Sequence, residues 1–303
     1  MVGQRVVVRR LVRDPQGLVE AGPTGGPAFT DVLGTCLSWT PGASAVIERE
    51  DGVRVEIALA DIVSGKPVPP RPSIRMRVSA REAEEHTQRQ WPDVEATPLG
   101  EWSLRVNPHP VGRLLKRANS CLAIGDPGLP IADAAERIRS FYAGHDRRAL
   151  AQVEADSPEE RALAELGWVF VEDGETAYQL ASVAHLARQL PRRPEASVTE
   201  ATEGGVTTAH ASIVRDGVEV ARADAALDGD WVGVYGMAVE PSHRRQGLAT
   251  DLLAALVGWA GQHGARTIWL HVLTDNAPAL ALYESLGFVT HHVCRYLTPP
   301  DAA

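Results

Sequence analysis

An order of strand, helix, strand, helix, glycine, aromatic residue and strand occurs twice in this sequence of 303 residues. The second helix ends at Leu166–Trp168 in the first copy (the front repeat) and at Leu286–Phe288 in the second (the back repeat). Glycine at this place is typical of a helix C-terminus, where the chain turns with positive φ. Because strands that alternate with helices form helix-covered sheets, the repetition predicts an α/β (α+β) fold that arose by duplication.

Hydrophobic periodicity and turn signals predict the individual elements. In the front repeat these are helices at Ser79–Trp91, Ile131–Ala143 and Pro158–Leu166, strands at Trp102–Val106, Ala118–Ile124 and Ala149–Val153, and a closing hairpin of Trp168–Val171 and Ala177–Ala181. In the back repeat they are a hairpin of Ala209–Val214 and Val218–Ala225, strands at Trp231–Val239, Thr267–Leu273 and Val289–Leu297, and helices at Leu248–His263 and Pro278–Leu286. Each repeat therefore predicts a mixed sheet with helices packed against it.

The first 72 residues carry strand patterns and no helix pattern. Two segments, Ala45–Glu50 and Val53–Leu59, flank Asp51-Gly52, a pair that favours a hairpin because both turn positions need positive φ. Several short strands in so few residues predict a small all-β barrel. The segment Lys66–Pro72 predicts a stiff spacer after it, since proline fixes φ and lacks an amide donor.

Charge and composition exclude several classes of protein. The chain has 30 Lys and Arg against 39 Asp and Glu, a net charge of −9 with the cations spread along the sequence. Nucleic-acid binders usually carry a basic surface, so no nucleic-acid partner is expected. Apolar runs stay well short of the roughly 20 residues of a membrane helix, so no membrane partner is expected either. Three scattered cysteines and the lack of a signal-peptide core favour a cytoplasmic protein.

The segment Val239–Thr250 joins an apolar strand to a long helix. Gly247 lets the backbone come close to a ligand, and the amides that follow it have no intrahelical acceptor. With the positive end of the helix dipole, these amides form an anion site suited to a pyrophosphate. Arg244 and Arg245 add cationic donors. In isolation, an ordinary solvated turn is the favoured interpretation of such a segment.

Further residues make the pattern specific. Gly236 interrupts the apolar strand, which is typical of a β-bulge. Asn276 and Tyr283 are about two helical turns apart, so both can face one groove. Over roughly Thr208 to Leu297 the chain resembles the GCN5-related N-acetyltransferase (GNAT) superfamily in two motifs, Arg244-x-x-Gly247-x-Ala249 and Asn276-x-x-Ala279-x-x-Leu282-Tyr283-x-x-x-Gly287-Phe288.

The resemblance implies acetyl-CoA as the acetyl donor and assigns residues to it, and it implies no metal. The residues implied for the pyrophosphate are Arg244, Arg245, Gln246, Gly247, Leu248, Ala249 and Thr250. Those implied for the pantetheine arm are Met237, Ala238 and Val239, which would pair with it, and Asn276, which would orient it. Tyr283 would lie near the sulfur.

The front repeat is similar to the first repeat of actinobacterial tandem GNAT proteins, at Glu101–Arg105, Arg117–Ser120 and Gly125–Pro130. Leu59–Val63 and Pro70 resemble the SH3-like barrel that precedes this repeat in one group, some of whose members are labelled histone-type acetyltransferases. The fold expected is two GNAT-like mixed-sheet repeats after a small all-β SH3-like barrel. The front repeat lacks the Arg-x-x-Gly-x-Gly/Ala turn before Ile131, so it is expected to be degenerate. The domains are predicted as 1–72 (barrel), 73–190 (degenerate repeat) and 191–303 (catalytic domain).

Direct transfer to an amine requires help with a proton, because a lysine-like amine has a reference pKa near ~10.4 and must be neutral to attack. Tyr283 is the candidate acid for the departing thiolate, and backbone amides at the Gly236 bulge are candidates to stabilise the oxyanion. Histone-acetylating relatives carry a Glu on the strand before the pyrophosphate loop, where this chain has Gly233. The candidate bases are therefore His271, on a strand where many relatives carry Glu, and Glu240.

The acceptor site is expected at the interface between the repeats. The candidate residues are Trp102, Arg105, Asn119, Ser120 and Tyr235. The first four of these are at least as typical of the front-repeat core. Of His291 and His292, at most one is expected to face the acceptor pocket, since adjacent strand residues point to opposite sides.

Three functions stay open at this point. One is an N-acetyltransferase for a small-molecule amine, and the second is a protein acetyltransferase acting on lysine or an N-terminus. The third is a non-enzymatic sensor that binds acetyl-CoA. An N-terminal barrel of this size is compatible with binding a protein, with a homodimer interface or with simple stabilisation of the chain.

Overall fold

The computed structural model describes residues 2–23, 25–49, 51–68, 74–91, 93–110, 114–172 and 174–300. The chain divides into two compact units, Met1–Ser73 and Ile74–Ala303. Of the predicted spacer Lys66–Pro72, the first two residues end a strand, and 69–72 lie outside the described residues. No helix among the described residues is long and apolar enough to cross a membrane.

The first unit is an antiparallel five-stranded sheet. Its strands are β1 (Arg5–Leu11), β2 (Phe29–Trp39), β3 (Ser44–Glu48), β4 (Arg54–Ala58) and β5 (Ile62–Pro67). They lie in the order β4-β3-β2-β1-β5, and one face buries Val6, Val8, Cys36, Ile47 and Ile57. The hairpin predicted around Asp51-Gly52 is confirmed, because β3 and β4 pair across it. Among the described residues β4 and β5 are not paired, so a closed SH3-like barrel remains a prediction.

The second unit contains one large mixed sheet with helices against it. Its strands are β6 (Glu95–Leu99), β7 (Trp102–Val106), β8 (Cys121–Leu122), β9 (Ala151–Glu154), β10 (Val169–Phe170), β11 (Thr176–Ser182), β12 (Ser197–Glu203), β13 (Val206–Arg215), β14 (Val218–Asp228), β15 (Trp231–Val239), β16 (Thr267–Leu273) and β17 (Val289–Thr298). Its helices are α1 (Ala80–Glu85), α2 (Ile131–Gly144), α3 (Pro158–Glu165), α4 (Val183–Gln189), α5 (Leu248–Gln262) and α6 (Ala277–Ser285). The main path of the sheet is β12-β13-β14-β15-β16-β11-β17-β9-β8-β7-β6, and β10 pairs with β17.

The two repeats have the same local topology. In the front repeat, α2 connects the parallel strands β8 and β9 and α3 follows; in the back repeat, α5 connects the parallel strands β15 and β16 and α6 follows. The predicted mixed α/β fold is thus confirmed. Serines cap two helices of the front repeat: Ser79 at α1 and Ser157 at α3 each accept a backbone N–H from the residue three positions ahead.

The repeats exchange their last strands. β11, which follows α3, pairs with β16 of the back repeat, and β17, which follows α6, pairs with β9 of the front repeat. The two exchanged strands pair with each other at the centre of the sheet. The predicted closing hairpin of Trp168–Val171 and Ala177–Ala181 is therefore wrong: β10 and β11 pair with β17 and not with one another.

Other sequence predictions differ from the structure in length or were missed. The strand predicted at Ala118–Ile124 is reduced to β8, because Arg117–Asn119 forms a turn of 3-10 helix. The helix predicted at Ser79–Trp91 is α1 followed by a 3-10 helix at His86–Gln90. Helix α4 and the edge strands β6 and β12 were not predicted; β6 contains Glu and Pro and β12 contains two Glu, residue types that are depleted in strands.

The two faces of the back-repeat sheet have different partners. Helix α5 buries its apolar residues against one face, where Ala211, Ala225 and Leu270 belong to the same core. The opposite face packs against α1, where Ala83 contacts Tyr178 and Trp269. The first helix of the front repeat thus covers part of the back repeat, and this places its side chains next to β16.

Candidate active site

The strands β15 and β16 separate halfway along their length. They pair in parallel from Trp231 with Thr267 to Val234 with Leu270, and no pairing beyond this point is present among the described residues. The edge of β15 that follows, from Tyr235 onwards, is therefore open to a ligand. An extended chain such as a pantetheine arm fits this kind of open strand edge.

A β-bulge lies at the point where the strands separate. Arg222 pairs with Ala238 and Asp224 pairs with Tyr235, so two residues of β15 oppose one residue of β14. Gly236 is one of the two and has a φ of 63°, which is strained for other residues. The bulge predicted from this glycine is confirmed. A bulge leaves its extra residue unpaired in the ladder, so an oxyanion site at this point stays a prediction.

The loop before α5 has an unusual backbone. Arg245 has a φ of 64° and Gly247 a φ of 83°. The loop is held by two arginines: Arg244 Nε donates to Val239 O at 3.3 Å, and Arg215 donates to Gln246 Oε1 at 2.7 Å. Arg215 is a functional candidate that the sequence did not reveal, because it comes from the end of β13, some thirty residues away.

The amides of this loop are free. Within the described part of the chain, the backbone N–H groups of residues 245–249 have no hydrogen-bond acceptor. The amide of Thr250 differs, since it donates to Gly247 O at 2.9 Å, so only the side chain of Thr250 remains available to a ligand. Five free amides at a helix N-terminus, flanked by arginines, suit a phosphorylated ligand.

Helix α6 brings a tyrosine to the bulge. The Tyr283 hydroxyl donates to Met237 Sδ at 3.6 Å, and Tyr283 is 8% exposed. Burial raises the pKa of Tyr283, so its hydroxyl keeps its proton well above neutral pH. Asn276 is the N-cap of α6, where its Oδ1 accepts from the Ala279 amide at 3.3 Å. The side-chain NH2 of Asn276 is left for a ligand.

The two candidate bases lie in different environments. His271 follows Leu270, the last residue of β16 that pairs with β15, and its side chain is 4% exposed. Its Nε2 lies 2.7 Å from Glu84 Oε1, and burial lowers the pKa of His271 to about 4, so the ring is neutral near pH 7. Glu240 is exposed after the end of β15, at the start of a turn of 3-10 helix. No described hydrogen bond joins its side chain to the residues at the bulge.

A buried polar cluster surrounds Glu84. Its Oε1 is contacted by His271 Nε2, by His292 Nε2 at 3.3 Å and by Cys294 Sγ at 3.4 Å. Burial alone would raise the pKa of Glu84, but its close contacts with His271 and His292 hold the pKa well below its usual range. The ligand atoms of Glu84, His292 and Cys294 all lie within 4.8 Å of one another, and hydrogen bonds to one carboxylate oxygen account for this spacing.

His291 and His292 both belong to this cluster, which corrects the expectation that their side chains point to opposite sides. Their Nδ1 atoms are 2.7 Å apart. The physical reason is a second bulge: Tyr178 pairs with His292 and Gln179 pairs with Thr290, so His291 is an extra residue in β17. At a bulge the regular alternation of side chains is lost.

Acidic side chains lie beside the bulge on the face opposite α5. Asp224 pairs with Tyr235, and a Cβ on Gly236 would lie 2.8 Å from Asp224 Oδ2. His210 Nδ1 is 2.7 Å from Asp224 Oδ1, and this hydrogen bond raises the pKa of His210, with Glu219 adding to the effect. Burial raises the pKa of Tyr235 to about 12. Tyr235 was among the predicted acceptor-site residues, whereas Asp224, His210 and Glu219 were missed because polar residues on a strand are also typical of a solvated face.

Comparison with known proteins identifies the family. The profile of the acetyltransferase (GNAT) family matches residues 163–288. A probable histone acetyltransferase of Mycobacterium tuberculosis is 31% identical over 98% of this chain and 95% of its own length. The ribosomal protein bS18-alanine N-acetyltransferase of Escherichia coli is 33% identical over 36% of this chain and 74% of its own length. This chain belongs to the GNAT family.

The GNAT family is also found among solved structures. A GCN5-related N-acetyltransferase from Kribbella flavida superposes with a TM-score of 0.56 and 21% identity, over 74% of this chain and 96% of that chain. At this identity the likeness supports the fold alone. Together with the acetyltransferases above, family membership makes this chain an acetyl-transferring enzyme.

The structure gives a reason for the missing glutamate of this GNAT protein. A Cβ at Gly233 would lie 2.3 Å from Trp269 Cζ2 and 2.9 Å from Gln90 Nε2. The indole and the amide thus fill the space that a side chain at this position would need. A side chain at this point of β15 is sterically excluded, so His271 and Glu240 stay the candidate bases.

The front-repeat candidates for the acceptor site are all buried. Arg105 donates to Ser120 O and Oγ at 3.1 Å and to Gln152 Oε1 at 2.7 Å. Trp102 donates to Gly125 O, and Asn119 Oδ1 accepts from the Asn107 amide. These contacts fit side chains that hold the front repeat together. Their contact with an acceptor stays a prediction, and of the five candidates only Tyr235 lies beside the bulge.

Proposed function

We propose that the back repeat binds acetyl-CoA and transfers its acetyl group directly to a primary amine. The observation that carries this proposal is the combination of five free amides at residues 245–249 with the open edge of β15. The amides suit a pyrophosphate, and the open edge suits the extended arm that leads from it to the thioester. Met237, Ala238 and Val239 lie on that edge, and Arg244 flanks the amides.

The chain's own residues supply the remaining chemistry. Amides released by the bulge at Gly236 stabilise negative charge on the acetyl oxygen while the C–N bond forms. Tyr283 gives its hydroxyl proton to the sulfur as the C–S bond breaks, and it recovers a proton from water. His271, neutral at pH 7, takes the proton that the amine nitrogen loses. The net products are an amide and a free thiol.

A protein amine is the favoured acceptor. The sheet face opposite α5 carries three carboxylates, those of Asp224, Glu219 and Asp228. The first two contact His210 and the third contacts Arg89, and all three can also attract a cationic substrate. The relatives with the longest coverage are named for acetylating a ribosomal protein and for probable histone acetylation. A lysine side chain or an N-terminal alanine is therefore the first class to test. A small amine is the alternative, supported by the name of a mycothiol acetyltransferase that is 43% identical over 60 residues.

Calorimetry with CoA and release of free thiol from acetyl-CoA test the proposal together. The thiol assay uses peptides with N-terminal alanine, peptides with internal lysine, and small primary amines. Wild-type protein is expected to bind CoA and to release thiol only when an accepted amine is present. Absence of CoA binding contradicts the proposal, and binding without transfer to any amine would favour the sensor function instead.

A pair of glycine variants locates the binding site. Gly247→Ala places a Cβ on a residue with a φ of 83°, which costs about 1–2 kcal/mol in that conformation and disturbs the free amides. CoA affinity is expected to fall about tenfold, equivalent to about 1.4 kcal/mol. Gly258→Ala, inside α5 with open space around its Cβ, is the matched control. It is expected to leave CoA affinity unchanged. Equal effects of the two substitutions would place the pyrophosphate elsewhere.

A further inference from the structure

The cluster around Glu84 continues from His271 to the half-buried His291. His271 Nε2 lies 2.7 Å from Glu84 Oε1, the same oxygen lies 3.3 Å from His292 Nε2, and His292 Nδ1 lies 2.7 Å from His291 Nδ1. His291 Nε2 in turn lies 3.0 Å from Val78 O. A continuous series of polar contacts therefore leads from His271, where β16 separates from β15, to the half-buried His291.

The donors and acceptors of this chain fix where its protons lie. The carbonyl of Val78 can only accept, so His291 carries its proton on Nε2 and accepts at Nδ1 when the ring is neutral. His292 must then donate from Nδ1, which leaves its Nε2 without a proton when that ring is neutral too. At the other end, His271 donates from Nε2 to the carboxylate of Glu84.

Two features follow from this arrangement. The contact between His292 Nε2 and Glu84 Oε1 joins two acceptors, so it is the place where the chain can take up one more proton. The remaining ring nitrogen of His271, Nδ1, is buried and has no partner among the described residues. A buried ring nitrogen with a free lone pair beside the separation of β15 and β16 is suited to accept a proton from a substrate.

We propose that Glu84, His292 and His291 form a proton relay that carries the proton of the acceptor amine from His271 to solvent. This rests on the proposed function, because His271 is the base there. The amine proton binds His271 Nδ1 while the Nε2 proton moves to Glu84 Oε1 and on to His292 Nε2. His292 passes its Nδ1 proton to His291, which exchanges with water. One proton enters and one leaves, and the carboxylate of Glu84 is restored. His271 and His292 are then left in the opposite tautomers. After product release, a proton that returns from solvent along the same contacts to His271 Nε2, with loss of the Nδ1 proton of His271 to water in the emptied acceptor site, restores the starting state.

The surroundings of the relay include other titratable and charged groups. Tyr178 of β11 stacks on His292 with ring centroids 4.9 Å apart and meets His271 edge-on. Cys294 of β17 donates to Glu84 Oε1, and the charge of Arg117 also acts on His271. Burial raises the pKa values of Tyr178 and Cys294 well above their usual ranges, so both stay neutral. Neither group takes up the transferred proton.

Glu84→Gln is the first test, because glutamine keeps the shape of the side chain and an acceptor for His271 but takes up no proton at neutral pH. Acetyl transfer is measured from pH 6 to 10 with the amine that gives the fastest thiol release. With the relay, kcat is expected to fall about 100-fold near neutral pH while CoA affinity is unchanged. The deficit is expected to shrink as pH rises, since hydroxide then accepts the proton. A deficit that is equal at every pH, or no deficit, overturns the relay.

Two further variants distinguish a loss of proton transfer from a loss of folding. His291→Ala removes the outer end of the relay, and added imidazole is expected to restore its rate; failure of rescue in a folded variant with lowered activity counts against the relay. Glu160→Gln is the matched control, because Glu160 is also a buried carboxylate, bonded to Arg295 in the front repeat. It is expected to keep the wild-type pH profile.

Histidine NMR decides the question independently of activity. Long-range 15N–1H correlation of the wild-type protein is expected to show His271 with its proton on Nε2 and His292 with its proton on Nδ1. The opposite tautomers overturn the relay even if the enzyme is active. Zinc that copurifies in equimolar amount and is lost in Cys294→Ser also overturns it, because a metal ion would then occupy the proton path. Lack of transfer by the wild-type protein contradicts the proposed function alone.

Discussion

Burial determines the protonation states of two residues of the candidate active site, Tyr283 and His271. Tyr283 keeps its proton because its hydroxyl is enclosed against Met237, and His271 stays neutral because its ring is enclosed between β11, β17 and α1. Desolvation disfavours the charged form of either group. At neutral pH the site therefore holds a proton donor and a proton acceptor, which is the pairing that acetyl transfer to an amine needs.

Tyr283→Phe is predicted to separate catalysis from binding. The substitution removes the hydroxyl proton and keeps the ring that packs on Phe288, so kcat is expected to fall about 100-fold with little change in CoA affinity. Tyr142→Phe is the matched control, because Tyr142 is also buried and donates to Arg105 O at 2.9 Å in the front repeat. It is expected to lower the midpoint of thermal unfolding and leave kcat intact. An unchanged kcat in Tyr283→Phe would remove Tyr283 as the acid.

The sequence predicted some site residues and could not predict others, for physical reasons. Gly236, Gly247 and Tyr283 were found because the conformation or the motif that they serve is local. Glu84 was not, since it lies in Ala-Arg-Glu-Ala-Glu-Glu, which has the composition of a solvated helix face. Its burial depends on Tyr178 and Trp269, which come from strands about 95 and 185 residues further along the chain.

Among the elements, α1 is the short helix that holds Glu84 in place, and its own stability depends on a capping residue. Six residues make a helix too short to be stable alone, so its cap and its packing must hold it. Ser79 Oγ accepts from the Glu82 amide at 3.1 Å, and the buried face of the helix carries Ala80, Ala83 and Glu84. The position of Glu84 beneath His271 therefore depends on the cap.

Ser79→Ala and Ser157→Ala form a matched pair of cap variants. Ser157 caps α3 of the front repeat with the same 3.1 Å hydrogen bond, to the Glu160 amide. Each substitution is expected to lower the free energy of unfolding by about 1 kcal/mol, measured by urea denaturation. Only Ser79→Ala is expected to lower the rate of acetyl transfer as well, since only α1 carries a relay residue. Equal activity of the two variants would show that Glu84 is not coupled to catalysis.

In the second unit as a whole, the sequence did not predict that the two repeats exchange their last strands, β11 and β17. The hairpins at Asp51-Gly52 and Asp216-Gly217 were predicted because the turn residues specify their partners. β11 and β17 have no such signal, and the strands that pair with them are distant in sequence. The residue pattern of a segment predicts that it forms a strand but not which strand it pairs with.

The exchange predicts that the back repeat does not fold as residues 191–303 alone. That fragment lacks β11, so β16 and β17 each lose the strand between them, and their unpaired edges and apolar faces are exposed. The fragment 74–303, the whole second unit, is expected to unfold cooperatively on heating and to bind CoA. The fragment 174–303 restores β11 and α4 without the front repeat, and it is expected to recover part of the helical signal and of the CoA affinity. A cooperative transition and full CoA affinity for 191–303 would show that the strand exchange is not needed to complete the catalytic fold.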